Sequence, residues 1–360
     1  MARVFLRLGF VAFGGPAAHI AMMEKEVVQK RGWMSEQHFL DLVGATNLIP
    51  GPNSTEMTMH CGHERAGWKG LIAAGLCFII PAVMITGILA WSYQKYGDLP
   101  QMEAFIYGIK PAIIAVIVST MITLGRRALK SVMLGLLGIG AAVATLAGLN
   151  EIYVLFGFGI FGVVIFAVQQ PAARGISPLL MLAPVAELSN LKIFFIFLKV
   201  GAILYGSGYV LFAFLDAELV TRGLLSKQQL IDAIAVGQFT PGPVFSSATF
   251  IGWQLGGPFG AIAATVGIFL PSFLFVAFLN PLIPKLRRSK VMAAFLDSVN
   301  IVSVAIILAV VVEMGRETLL DWRTILIAVI SFAVTFLFKS VNTAFIVIGG
   351  ALLGYLLTLL

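Results

Sequence analysis

PGPNSTEM at Pro50–Met57 and PGPVFSSA at Pro241–Ala248 are two copies of one short text, 191 residues apart in a chain of 360. Each opens on Pro-Gly-Pro in an apolar neighbourhood and follows it with hydroxyls, Ser54 and Thr55 in the first copy, Ser246 and Ser247 in the second. Proline is tolerated where a helix begins, because its missing N–H would be unpaired there anyway, and glycine permits close backbone approach. The text therefore predicts a helix break followed by a fresh helix start, twice. Interrupted apolar segments at corresponding places in two halves of a chain point to a transporter's binding site.

The surroundings set the fold class. The chain is 59% hydrophobic and 11% charged, with mean hydropathy +0.98; a soluble domain carries about a quarter charged residues. Val132–Leu149, Ile152–Val168, Thr324–Phe338 and Ala344–Leu360 hold no charge. Most are long enough to cross a bilayer, and helices satisfy their own backbone groups there. No ten-residue alternation recurs, which argues against a β-barrel. Met1–Phe10 lacks the pattern of a cleaved signal, so the first segment is expected to stay. The net charge of +7 sits mostly in short loops, where it reports orientation rather than nucleic-acid binding. Cys61 and Cys77 lie in or beside membrane segments and suggest no disulfide framework.

The Pro-Gly-Pro text belongs to a longer duplication. FLRLGFVAFGG (Phe5–Gly15) answers FLKVGAILYGS (Phe197–Ser207), EVVQKRG answers ELVTRG, NLIPGP answers QFTPGP, and GLCFIIP ending at Pro81 answers VGIFLP ending at Pro271. The expectation is an all-α polytopic membrane protein of about ten transmembrane helices. They form 5+5 inverted-topology repeats, each half with a re-entrant helix hairpin at its PGP motif. The halves are residues 1–189 and 190–360. The expected spans are 3–22, 68–92, 101–125, 131–149 and 151–169, then 192–213, 256–280, 291–315, 322–338 and 341–360. Basic loops displaced by one helix between halves (Arg126, Arg127 and Lys130; Lys285, Arg287, Arg288 and Lys290) indicate the inversion. They place Lys25–Arg31 in the cytoplasm of a bacterial-type plasma membrane, both termini outside, and 170–190 as a cytoplasmic linker.

The candidate site follows from helix-start chemistry. Free N–H groups and the helix dipole attract anions, and hydroxyls add donors without charge. Gly51, Pro52, Asn53, Ser54, Thr55, Gly242, Pro243, Ser246 and Ser247 are the expected substrate contacts; plain structural kinks are the alternative. Lys110 lies deep in a span, with Asn300 as its repeat partner. It either neutralises the anion or snorkels to the interface. Arg7 and Lys199 occupy matching positions and line a pathway or snorkel. Glu56 is either a proton-coupling group or the N3 member of a capping box on Asn53. Asp297 is a second candidate for proton coupling. His60, Cys61, His63 and Glu64 match no zinc spacing, and the mirrored half offers no ligands, so no metal is expected. FGGP (Phe13–Pro16, with Gly14 and Gly15) and YGSG (Tyr205–Gly208) mark one more break per half.

FGGPAAHIAMMEKEVVQKRGW, PGPNST and AGWKGLIAAGLCFIIPA together resemble the chromate transporter family in its long, two-domain form, over essentially the whole chain. The resemblance implies a secondary transporter, not an enzyme. It implies export of chromate or a sulfate-like tetrahedral oxyanion, driven by the membrane potential or by protons. Gly67, Trp68 and Pro16 fall on its motifs beside the PGP residues. Asn47 stands where Gln is frequent, as Gln238 does in the second half, and Glu56 stands where a neutral Gln is common. No cofactor is implied. The expected partners are the oxyanion, the lipid bilayer, protons as coupling ion and a second copy of the chain. An anion channel and an intramembrane metalloenzyme are the alternatives.

Overall fold

The computed structural model describes residues 1–13, 15–96, 100–168, 189–205, 208, 210–279, 289–338 and 341–359, and every regular element among them is helical. The first half contains α1 Ala2–Val11, α2 Gly15–Glu24 running into a π-helical turn Lys25–Gln29, α3 Glu36–Thr46, α4 Asn53–Tyr96, α5 Pro100–Ala128, α6 Val132–Leu146 and α7 Glu151–Val168. The second contains α8 Asn190–Ile203, α9 Val210–Leu215 with its π-helical turn Asp216–Val220, α10 Lys227–Phe239, a 3₁₀ turn Val244–Ser246, α11 Ser247–Leu279, α12 Lys290–Thr318, α13 Trp322–Leu337 and α14 Thr343–Thr358. Among the described residues four stretches are long and apolar enough to cross a bilayer: Asn53–Tyr96, Ala104–Ala128, Val244–Phe278 and Lys290–Thr318. α6, α13 and α14 have 15, 16 and 16 residues. At about 1.5 Å per residue they fall short of the roughly 30 Å hydrocarbon thickness.

α4 and α11 are each two helices in one. α4 bends at Ala66 (φ −152°) and Gly67 (φ 56°), and α11 at Gly256 (φ −151°) and Gly257 (φ 59°). The left-handed residue is glycine both times, since a side chain would be strained there. The chain doubles back at these corners. A Cβ on Gly62 would sit 2.3 Å from the Gly70 carbonyl, and one on Gly252 would sit 2.4 Å from the Gly260 carbonyl. The arms 53–65 and 247–255 therefore cross their own following helices backbone to backbone.

The segments 3–22 and 192–213 are hairpins, which corrects the expectation of a single span in each. Phe5 meets Trp33 at 6.1 Å between ring centroids, and Lys199 Nζ lies 2.5 Å from Glu218 Oε1. A continuous helix would separate Lys199 and Glu218 by about 28 Å. The breaks at FGGP and YGSG do more than kink a helix. They turn it round, so each half holds several short helical arms before its first long apolar helix.

Contacts fix the two ends of the bundle. At the first face, Arg65 stacks over Trp33, Trp68 meets Phe278, Leu48 packs with Met292 and Leu296, and Lys130 pairs with Asp297. At the second face, Trp253 donates to Gln94, Phe105 stacks on Tyr355, Tyr107 donates to Asp321, and Lys227 pairs with Asp216 and Glu313. α1 thus begins at the first face of the bundle, and α14 ends at the second. α7 ends toward the first face, where Gly162 abuts Ser298, and α8 begins at the second, where Asn190 abuts Gly256. The expected linker over 170–188 lies outside the described residues.

The halves exchange helices. α5 packs along α13 and α14, whereas α12 packs along α6 and α7. α1 lies on α4 and α8 on α11, while α4 and α11 join the halves at the centre, with Gly75 against the Phe273 ring. Gly62→Ala is expected to lower the melting temperature of detergent-solubilised protein, by overpacking worth about 1–3 kcal/mol. Gly157→Ala, whose Cβ would meet nothing within 4 Å, should not. Equal melting of the two variants would overturn the backbone crossing.

Candidate functional site

The Pro-Gly-Pro turns are built as helix starts. The Pro52 carbonyl accepts from the N–H groups of Thr55 (2.8 Å) and Glu56 (3.1 Å), so Pro52 is the N-cap and Asn53 the first helical residue. Pro243 does the same for the 3₁₀ turn, accepting from Ser246 N–H at 2.9 Å. The capping box expected on Asn53 and Glu56 does not form. The register is one residue off, and the Asn53 side-chain amide donates instead to Asn47 Oδ1 at 2.7 Å.

Each turn docks on the other half. Gly51 N–H donates to the Leu204 carbonyl, and Gly242 N–H to the Ala12 carbonyl, both at 2.8 Å. Leu204 and Ala12 are the residues where α8 and α1 stop. Gly208 of YGSG lies beside Val244 and Phe245 of the second PGP copy. The four breaks therefore touch one another in one region of the bundle. Both turn glycines have positive φ, 134° at Gly51 and 88° at Gly242, and a Cβ on Gly51 would strike Glu56 and Ser272. Gly15 opens α2 at the FGGP turn with φ 81°, whereas Gly14 lies outside the described residues.

Polar side chains collect at this place. Ser54, Thr55, Glu56, Ser246, Ser247 and Ser272 are all 2% exposed or less. Thr86 of α4 donates to Ser246 across the halves at 3.2 Å. Thr55 Oγ1, Ser247 Oγ, Ser272 Oγ and both Glu56 carboxylate oxygens are buried without a directed hydrogen bond. Glu56 and Ser272 share the space against Gly51 without aligning on each other. Buried polar groups nearly always have partners, so a cluster left unpaired beside two helix starts is suited to a polar ligand.

A cavity of about 570 Å³ leads toward this cluster from the first face. Asn47, Arg127, Lys130, Asp297, Asn300 and Ser303 give it its polar lining. It reaches the first PGP helix through the Asn47–Asn53 bond, and the YGSG break through Ser303, whose hydroxyl donates to the Tyr205 carbonyl at 3.3 Å. Asp297 is 2.6 Å from Lys130, an ion pair at the cavity wall. Of the sequence candidates, Asn47, Asn300 and Asp297 are brought together here; Lys110, Arg7 and Lys199 are not.

Those three cations have other partners. Lys110 Nζ lies 3.3 Å from Asp232 Oδ1 of α10, an ion pair without hydrogen-bond alignment, and the Tyr93 hydroxyl donates to Asp232 Oδ2 at 2.7 Å. Lys199 pairs with Glu218, which Arg222 also holds at 3.0 Å. Arg7 lines a cleft with Arg3, Glu26 and Arg31, matching Lys199 in its own half. The hydrogen bond from Lys30, with the charges of Arg31 and Arg7, holds Glu26 below the usual carboxylate range. The HCGHE side chains diverge: His38 pairs with Glu64, His63 packs edge-on to Trp68, and His60 is buried. Gln238 is buried behind the second turn.

Sequence reasoning missed Asp232, Ser272, Tyr93 and Thr86. Asp232 left one signal, a lone carboxylate in the apolar run LIDAIAV. Arg127 and Lys130 were legible only as charges that orient the chain.

The family model for the chromate transporter matches residues 1–163 and 191–355. The chain belongs to the chromate transporter family. It is 30% identical to a probable chromate transport protein of Synechococcus elongatus, over 92% of this chain and 88% of that one. It is 29% identical to a chromate transport protein of Cupriavidus metallidurans, over 97% and 90%. An uncharacterised transporter of Methanocaldococcus jannaschii is 25% identical, over 98% and 92%. No solved structure matches. This member of the family is thus a multi-pass membrane protein whose matched regions contain all four helix breaks.

The Lys110–Asp232 contact gives a test of the geometry that needs no transport. Lys110→Met leaves a buried carboxylate unpaired, which costs about 3–5 kcal/mol, whereas replacing both partners by apolar residues is often nearly neutral. Lys110→Met with Asp232→Leu should therefore melt above the Lys110→Met single variant in detergent. A double variant that melts at the sum of the two single losses would overturn the pairing.

Proposed function

We propose that this chromate transporter family member is a secondary transporter for chromate or a related sulfate-like tetrahedral oxyanion, held where the four helix breaks meet. The observation that carries the proposal is the pair of buried, unpartnered hydroxyls of Thr55 and Ser247 beside the two PGP helix starts, with Ser272 and Glu56 against Gly51 between them. Hydroxyl and N–H donors suit an anion, and partial charges at helix starts attract it without a bound cation. Gly51, Pro52, Asn53, Ser54 and Thr55 form one wall, and Gly242, Pro243, Ser246 and Ser247 the other. Chromate is the substrate named for the bacterial relatives.

The matching breaks, the matching corners at Gly67 and Gly257, and the exchanged helices support two inverted repeats, each with re-entrant hairpins. Lys30, Arg31, Arg65, Arg127 and Lys130 gather at the first face. Cytoplasmic loops collect Lys and Arg, so the first face is the cytoplasmic one, with the N-terminus inside and the C-terminus outside. Transport is outward, driven by the membrane potential or by protons. Glu56 is the coupling group. It is buried against Gly51 with no cation in contact, and a bound proton removes a charge that repels the anion.

Purified protein in proteoliposomes should show saturable chromate flux. Absence of flux above empty liposomes for chromate, sulfate and other tetrahedral oxyanions would sink the proposal, and flux linear in concentration would replace the transporter with a channel. Ser54→Ala should raise the half-saturating concentration roughly tenfold, the value of one lost hydrogen bond to a charged ligand at about 1.5 kcal/mol. Glu56→Gln should flatten the pH dependence of flux while leaving the protein folded. A retained pH profile would move the coupling elsewhere.

A further inference from the structure

The polar cavity at the first face has a counterpart position at the second, because α5 and α12 correspond with an offset of 190 (Pro100–Ala128 against Lys290–Thr318) and α3 corresponds to α10. The counterpart is shut. Asn300 and Asn47 are exposed and line the open cavity, and their equivalents are Lys110 and Gln238. Val304 and Leu124 are half-buried and line the open cavity, and their equivalents Ile114 and Met314 are 5% and 0% exposed. Duplicated sequence has folded into two unequal arrangements of the same parts.

The difference has a chemical cause at one place. On the second face Lys110 of α5 is drawn against Asp232 of α10, and Tyr93, near the end of α4, holds the same carboxylate from another side. Three helices are thereby tied over the second PGP turn. On the first face the residue equivalent to Lys110 is Asn300, which has no charge with which to bind α3. Among the described residues two cations stand in the opening, Arg127 and Lys130, and the Asp297 carboxylate pairs with Lys130. The open side is thus a polar entrance with surplus positive charge, and the closed side is a neutralised, buried ion pair.

We infer that this structure is one of two states of the transporter: the Arg127–Asn300–Asn47 cavity is an outer oxyanion-binding vestibule open at the first face, and the Lys110–Asp232–Tyr93 cluster is the gate that closes the second face. The inference rests on the proposed transport function for its ligand, though not for its geometry. The opposite state opens where Lys110 and Asp232 now meet and buries Asn300 and Asn47 in turn. Because the vestibule carries the cations and the central cluster carries neutral donors, an arriving anion is captured by charge and then passed to hydrogen bonds. The Lys110–Asp232 bond must break for release at the second face, and the freed Lys110 then faces the departing anion.

Thiol labelling tests this without measuring transport. A membrane-impermeant methanethiosulfonate bearing a sulfonate is applied to oriented vesicles from one side or the other. The parent chain, with Cys61 buried and Cys77 half-buried, supplies the background. Val304→Cys should be modified from the first face only, more slowly when chromate is present. Ile114→Cys, its equivalent, should be inert from both faces. Added Asp232→Asn, or Tyr93→Phe where that variant folds poorly, should make Ile114→Cys reactive from the second face. Inert Val304→Cys, Ile114→Cys that reacts with the gate intact, or Ile114→Cys still inert in both gate variants would each overturn the inference. One-faced labelling that chromate does not slow would remove chromate as the ligand and leave the vestibule and gate standing.

Discussion

A helix broken inside an apolar bundle frees backbone groups that need partners, and among the described residues the two PGP turns and the ends of α1 and α8 are such breaks. The structure depends on how those groups are satisfied. Gly51 donates to the carbonyl where α8 stops, and Gly242 to the carbonyl where α1 stops, at the same 2.8 Å. Each unsatisfied group in hydrocarbon would cost several kcal/mol. Two reciprocal bonds therefore make the breaks tolerable and at the same time bring them together. The glycines follow from this, because the approach leaves no space for a Cβ at Gly51 or Gly242. So does the exchange of helices that seats each half's turn on its partner.

The same constraint explains why so much polarity is buried in a chain with 11% charged residues. Once the turns meet at the centre, hydroxyls on the first helical residues are carried inward with them. Some find partners across the halves, as Ser246 does with Thr86, and others do not. The charged residues follow a different rule. Lys110, Lys199 and Lys130 each meet a carboxylate within 3.3 Å, which keeps the central cluster neutral apart from Glu56. In the proposed site an unpaired cation beside the turns would hold an anion too tightly for it to leave, whereas neutral donors would bind it and still let it go.

Much of this was legible in the sequence, and the failures have physical causes. The repeat, the PGP helix starts and the apolar spans are local patterns, and the helices Asn53–Tyr96 and Ser247–Leu279 contain them where expected. The hairpins at FGGP and YGSG were read as spans because hydropathy measures how apolar a segment is, not whether it returns. The clue was in the charges: Arg7 with Glu26, and Lys199 with Glu218, were retained together in both halves. A single span would have held them at opposite ends; a hairpin lets Lys199 pair with Glu218 and puts Arg7 in one cleft with Glu26. Glu56 looked like a capping-box member because the spacing from Asn53 is right, yet the helix begins one residue earlier in its capping pattern, at Pro52. Asp232 could not be paired with Lys110 from sequence, since the two lie in different halves and meet only after the helices are exchanged.

The reciprocal docking of the turns also has a consequence for biogenesis. While the first half emerges from the ribosome, its PGP turn has no acceptor, because the Leu204 carbonyl lies in chain not yet made. The N–H of Gly51 must wait, in a translocon, in water or in a temporary bond, until the second half is inserted. The first half therefore reaches its final hydrogen bonding only after the second has been inserted.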